Sequence, residues 1–255
     1  MFKITKAILH DLSRNWALWL YAAFLMTASF GLFYIESHYE KSVIGILSMT
    51  LLLVPAFSLI YSVIYYFNSI DFITILLVQP INRSSIIISF ITGLSITFAS
   101  ITLLGTGIPL LIYAPTTASV SVLTTGIFLA VIFVGIGSLI AVYTREKSHG
   151  LGIALLLLFY FSLLFDGLVL LLIYTFSDYP VEKLALYITF LNPIDLGRIM
   201  TLMQTDAAAL MGYTGAVFQQ FFGELTGMFV SIGILCLWII IPAFLSIKKF
   251  SRKKF

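Results

Sequence analysis

Long apolar runs, each closed off by charges, prolines or small polar clusters, set the pattern of this chain. The first extends uncharged from Trp16 to Ile35, and the second from about Ser42 to Phe67. Residues Ser84 to Thr144 carry no charge at all, a stretch too long for one helix. Pro109, Pro115 and the cluster Thr116-Thr117-Ala118-Ser119 divide it into spans near 84–112 and 119–143. A fifth run covers about Gly150 to Phe176, with the acid Asp166 inside it, and a sixth about Leu225 to Ile247. Roughly 20 apolar residues cross the hydrocarbon core of a bilayer. The pattern therefore predicts an all-α, polytopic membrane protein: one transmembrane domain, 1–255, of six helices.

Three segments outside the spans have patterns of their own. Residues 1–15 read as an amphipathic helix on the membrane surface, with Phe2, Ile4, Ala7, Ile8 and Leu9 opposite Lys3, Lys6, His10 and Arg14. Segment 68–83 is too apolar for a plain connector and reads as a short helix stopped at Gln79-Pro80, with a new start before span three. Segment 177–224 alternates polar breaks with apolar stretches too short to span. Asn192-Pro193-Ile194-Asp195 has the features of a helix start: a capping side chain, a proline in the first turn and an acid near the positive dipole end. Thr205-Asp206 suggests a second start. Short helices dipping into the membrane are expected here, with a pair of surface helices as the alternative.

Composition agrees. Of 255 residues 60% are hydrophobic and 10% charged, against about 25% charged in soluble domains. Most of the exterior must face lipid. Lysine and arginine decide the orientation. With the N-terminus inside, the cytoplasmic segments hold all but Lys41, Lys183 and Arg198 of the 14 basic residues, so both termini are expected in the cytoplasm. The basic residues sit at membrane boundaries rather than on one face, which argues against nucleic acid. The uncharged run after Lys3 and Lys6 exceeds the roughly 7–15 residues of a signal core, so span one is expected to stay uncleaved.

Catalytic chemistry is missing from the pattern. No phosphate loop occurs, and Gly135-Ile136-Gly137 lacks the third glycine and the strand context of a dinucleotide site. There is no zinc-type His-Glu-x-x-His, no Cys-x-x-Cys and no serine elbow. His10, His38 and His149 lie near boundaries on both sides, Cys236 is the single cysteine, and Met200 and Met203 read as packing. No catalytic or metal-ligating residue is assigned, no cofactor is expected, and the chain is not expected to be an enzyme. Gly223-x-x-x-Gly227 is a weak candidate for a dimer seam. Asp166 stands alone as an ionisable group well inside a span, where an acid costs about 2.5–3.5 kcal/mol on insertion scales. It is either a polar site in a substrate path or a hydrogen-bonded link between helices.

The arrangement as a whole resembles the ABC-2 class of ABC-transporter permeases, with a type V exporter-like transmembrane domain. Leu76-Leu77-Val78-Gln79-Pro80-Ile81-Asn82-Arg83 is similar to the Leu-Leu-x-x-Pro-(Val/Ile)-(Ser/Asn)-Arg stretch that follows the coupling helix in that class. The acidic and Gly-Thr residues usual before it are reduced here to Asp71 and Thr74. Phe165-Asp166-Gly167-Leu168 and Leu191-Asn192-Pro193-Ile194-Asp195, through Arg198, resemble most the NosY-type permeases, which serve copper-centre maturation of nitrous-oxide reductase.

The resemblance implies two copies of this chain in a bacterial inner membrane. It also implies a separate cytoplasmic ATPase, NosF-like, that binds ATP and magnesium, and a periplasmic β-helix protein, NosD-like. Coupling to the ATPase would fall to Asp71, Thr74, Gln79, Pro80 and Arg83. Asp166 would be an intramembrane polar site, and Asn192, Pro193, Asp195 and Arg198 would meet the periplasmic partner. Cargo would be a sulfur-containing species or only a conformational signal. An ABC-2 permease for a lipid, glycan or drug, and a scaffold without transport, remain the alternatives. A secondary transporter is disfavoured by the lack of evident inverted repeats and paired intramembrane charges.

The orientation has a direct check. With Cys236→Ser as background, Lys253→Cys should resist an impermeant maleimide in intact cells and react after lysis. Labelling in intact cells would invert the topology.

Overall fold

The computed structural model describes residues 2–36, 38–176, 187–205 and 212–253, and among them it contains helices and no strand. Helix α1 (Phe2–Ser13) precedes α2 (Trp16–Ile35), α3 (Tyr39–Asn68) and the short α4 (Ile70–Val78). Helix α5 (Arg83–Thr102) continues through a π-helical turn, Leu103–Gly107, into α6 (Ile108–Tyr113). Then come α7 (Thr117–Tyr143), α8 (Lys147–Phe159), a second π turn at Tyr160–Leu164, and α9 (Phe165–Thr175). Helix α10 (Pro193–Leu202) and α11 (Gly212–Arg252) complete the described chain. Six stretches are long and apolar enough to cross a membrane: Trp16–Ile35, Tyr39–Asn68, Arg83–Tyr113, Thr117–Tyr143, Lys147–Leu172 and Thr226–Arg252. They coincide with the six expected spans to within a few residues at most ends.

Span four, α7, is mostly buried inside the chain, whereas less than a quarter of spans one, five and six is buried. Its small residues explain the difference. A Cβ on Gly137 would lie 2.7 Å from the Leu59 carbonyl oxygen of α3, and one on Gly126 would lie 2.8 Å from Thr102 of α5. On a third side Gly135 faces Pro242 of α11. Where lipid surrounds the bundle, such close backbone approach supplies much of the dispersion energy that joins helices.

Span three runs through Pro109 to Tyr113, as expected, the proline following directly on the π turn. The break comes at Ala114–Thr116, where the Thr116 hydroxyl oxygen accepts from the Ser119 amide and caps α7. Helix α1 presents a narrower apolar face than expected. Ile4, Ile8 and Leu12 are buried against the bundle, with Ile8 packed on Gly93 of α5, while Phe2 and Ala7 face outward. Asp11 and Asn15 fasten it: Tyr65 Oη donates to Asp11 at 2.9 Å, and Asn15 Nδ2 donates to Tyr61 Oη at 2.8 Å. Finally, Gly223 and Gly227 do not form one seam. Gly223 interrupts α11 with φ 65°, a left-handed conformation that favours glycine, and Gly227 packs on Met203 and Phe218 of the same chain.

Gly137→Val should therefore force α3 from α7 and lower stability by about 1–3 kcal/mol. Gly152→Ala, with open space at its Cβ, should keep the wild-type melting temperature in detergent. Equal melting temperatures for the two variants would show that the α3–α7 approach is not what holds the centre together.

Candidate functional site

Two places collect the residues singled out from the sequence. The first is α4, which turns sharply off span two at Ser69. Ile73 and Leu76 bury its inner side, and its outer side is Asp71, Phe72, Thr74, Ile75 and Val78. The exposed apolar residues were not anticipated: Ile75 is 62% and Val78 86% exposed. Gln79 caps the C-terminus, its amide donating to the Leu76 carbonyl, and Pro80 follows in the open. The Thr74 hydroxyl donates back to the Ile70 carbonyl at 2.9 Å. Arg83 does something else. Its guanidinium donates to the Lys253 carbonyl at 2.9 Å, tying the start of span three to the far end of α11.

The second place is an open pocket of about 580 Å³, mouth included, beside residues 48–52 of span two. Ser48, Leu51 and Leu52 of α3 line it together with Ser162, Asp166 and Arg198. Arg198 Nη1 donates to Asp166 Oδ2 at 3.1 Å, and Nη2 donates to Asp166 Oδ1 at 3.4 Å and to Asp195 Oδ1. Two carboxyl groups thus share one guanidinium. The Asp195 side chain is only 2% exposed, while that of Asp166 is 45% exposed. The basic partner missing from the sequence pattern of span five is supplied from 32 residues away.

Asn192 explains how α10 reaches this position. Its Oδ1 accepts from the Ile194 amide at 3.0 Å, the expected N-cap, and its Nδ2 donates to the Phe161 carbonyl at 2.9 Å. Phe161 lies in the π turn of span five, where the hydrogen-bond ladder slips by one residue. Every residue of α10 except Arg198 is buried. The Thr125 hydroxyl of α7 reaches the Gly197 carbonyl at 3.3 Å and the Thr201 hydroxyl at 3.0 Å, and a Cβ on Gly197 would lie 2.6 Å from Thr125.

This burial corrects the assignment of Asn192, Pro193 and Asp195 as contacts for an outside partner. Their side chains are consumed by the chain's own packing, and only Arg198 keeps part of its surface. The α10 residues belong inside the bundle rather than to a surface helix pair. The other expected start, at Thr205-Asp206, runs into 206–211, and most of the first part of 177–224 is 177–186; both stretches lie outside the described residues. Among the described residues no cluster of three or more His, Cys, Asp or Glu side chains could hold a metal.

Removing the shared cation should cost more than removing the exposed acid. Arg198→Met strands Asp195 and should lower stability by about 3–5 kcal/mol, while Asp166→Asn should cost less than about 1 kcal/mol. Melting in detergent, followed by tryptophan fluorescence, checks the order. Equal losses would mean that Asp195 does not depend on Arg198.

Comparison with known proteins fits this architecture. The family model of ABC-2 family transporter proteins matches residues 72–255, which includes spans three to six and all of α10. The chain is also 28% identical over 148 residues to a Pseudomonas aeruginosa protein named Probable ABC transporter permease protein NosY. That alignment covers 54% of each chain, so this chain spans about half the length of the curated relative it matches. On the extent of the family match, this multi-pass membrane chain belongs to the ABC-2 family of transporter proteins.

Proposed function

We propose that this chain is the permease subunit of an ABC transporter in the bacterial inner membrane. A separate cytoplasmic ATPase would drive it, docking on the outer side of α4. The single observation that carries this reading is α4 itself. A nine-residue helix rooted by Ile73 and Leu76 offers Asp71, Phe72, Ile75 and Val78 outward, at the end of the bundle where the basic residues gather. No phosphate-binding loop occurs in the chain, so the energy of ATP must arrive by contact.

The geometry supports a route for that energy. Span two runs without a break from Ser48 and Leu51, at the Arg198 pocket, to Asn68, one residue before α4 starts to form. From Leu51 to Ser69 this is about 27 Å at 1.5 Å per residue. Near its Leu51 end, Pro55 removes the ladder hydrogen bond to the Leu51 carbonyl, and the Ser58 hydroxyl donates to the Val54 carbonyl at 2.6 Å one turn on. A push on α4 would tilt or bend span two about this point and shift its far end against α10. The Asp166–Arg198–Asp195 group is then the contact that the two conformations make differently.

The NosY-like relative supports a finer reading: a homodimer working with a NosF-like ATPase and a NosD-like periplasmic β-helix protein in nitrous-oxide reductase copper-centre assembly. The cargo would be a sulfur-containing species or a conformational signal. Asp71, Thr74, Gln79 and Pro80 would form the ATPase contact, with Arg83 bracing it through Lys253.

Co-expression with the ATPase tests both levels. The wild-type chain should retain it stoichiometrically in mild detergent. Asp71→Arg with Pro80→Ala should insert normally yet lose about tenfold of that retention, equivalent to about 1.4 kcal/mol of contact. Recovery of the wild-type chain alone would overturn the ABC reading. A normal copper-centre spectrum in nitrous-oxide reductase from cells lacking this chain would remove the maturation role and leave the permease.

A further inference from the structure

At the basic end of the bundle a cleft of about 1750 Å³, open mouth included, lies between the ends of spans two, four and six. Five cations converge on it from two parts of the chain: Arg145 after α7, and Lys248, Lys249, Arg252 and Lys253 at the end of α11. No carboxylate lines it among the described residues. The nearest acid in sequence, Glu146, sits beside His149 instead, at 3.7 Å.

A scatter of topology-setting charges would not need this geometry. Lys253 is turned inward, its Nζ donating to the Val142 carbonyl at 2.9 Å and lying over the Tyr66 ring. Burial, then the charges of Lys249 and Arg145, pull its pKa below the usual lysine range. The remaining four cations are exposed at the mouth, with Lys249 4.7 Å from the centre of the Tyr143 ring. Such crowding of like charge leaves an unmet demand for an anion. The other half of the lining is apolar: Phe67, Ile70, Tyr143 and Leu245. Tyr143 and Leu245 are exposed at the ends of their spans.

We infer that this cleft binds the headgroup of an anionic phospholipid, with Arg145, Lys248, Lys249 and Arg252 around the phosphate and the acyl chains against Tyr143 and Leu245. A soluble anion would use the cations but leave the apolar wall without a partner. An amphiphile uses both, at the level where the span ends meet the membrane surface. Because Ile70 opens α4 and also lines the cleft, a bound lipid would touch the base of the helix proposed to take the ATPase. The lipid site itself does not depend on that proposal.

Native mass spectrometry of the full-length chain, released from detergent after incubation with phosphatidylglycerol or phosphatidylcholine, tests the inference. Wild type should retain phosphatidylglycerol preferentially, and rising salt should weaken retention. Lys248→Gln, Lys249→Gln and Arg252→Gln together should reduce it roughly a hundredfold, at about fivefold per cation removed. Should that triple variant fail to fold, Arg145→Gln alone should reduce retention about fivefold on the same basis. Lys3→Gln with Lys6→Gln, on exposed positions of α1, should leave it unchanged. Equal retention of the two lipids, or unaltered retention in the cleft variants, would overturn the site. So would displacement by sodium phosphate well beyond that by sodium chloride at the same ionic strength, which would assign a soluble anion, or by a polyglutamate peptide at constant ionic strength, which would assign an acidic protein surface.

Discussion

Polar groups in a lipid-facing bundle must find partners within the chain, because hydrocarbon offers none. That constraint makes every spanning element here a helix, and it is felt most where helices are irregular. Span five slips into a π turn at Tyr160–Leu164, and the amide of Asn192 donates to the Phe161 carbonyl within it. The same asparagine caps α10. One side chain thereby secures both the irregular turn and the entry of α10 into the bundle. With α10 placed, Arg198 falls between Asp166 and Asp195, and two acids that would be costly alone acquire a common cation.

Packing density follows the same logic from the other side. Helix α7 carries glycines toward three neighbours, and those at Gly126 and Gly137 allow an approach that a Cβ would forbid or crowd. A central helix clasped this closely acts as a fixed post. The more exposed spans five and six, and the interruption at Gly223 of α11, leave the periphery freer to rearrange. Span two joins the two regimes. It packs along α7, ends at the turn into α4, and borders the Arg198 pocket with Ser48, Leu51 and Leu52. A transporter subunit without a nucleotide site needs this kind of continuous element, since work done at one face must appear at the other.

Much of this was legible in the linear pattern. Long apolar runs separated by charges located all six spans, since a bilayer demands a minimum length of apolar helix whatever packs beside it. The Asn192-Pro193-Ile194-Asp195 start and the stop at Gln79-Pro80 were equally local, resting on caps and on the missing amide of proline. The outer face of α4 showed its polar members in the sequence but not its exposed Ile75 and Val78. Nothing in an apolar run says which of its members a neighbouring helix will cover.

By itself, then, the sequence determined the number of spans, their approximate boundaries and the placing of basic residues at one set of span ends. Each of these depends on residues close together in the chain and on the surrounding solvent. Only the tertiary structure brought Arg198 to Asp166. It alone decided that α10 is buried, that Arg83 holds the end of α11, and that the basic residues of two separate segments enclose one cleft. Those pairings join residues from 32 to 170 positions apart, and their partners are chosen by how helices pack, for which no local periodicity carries a signal.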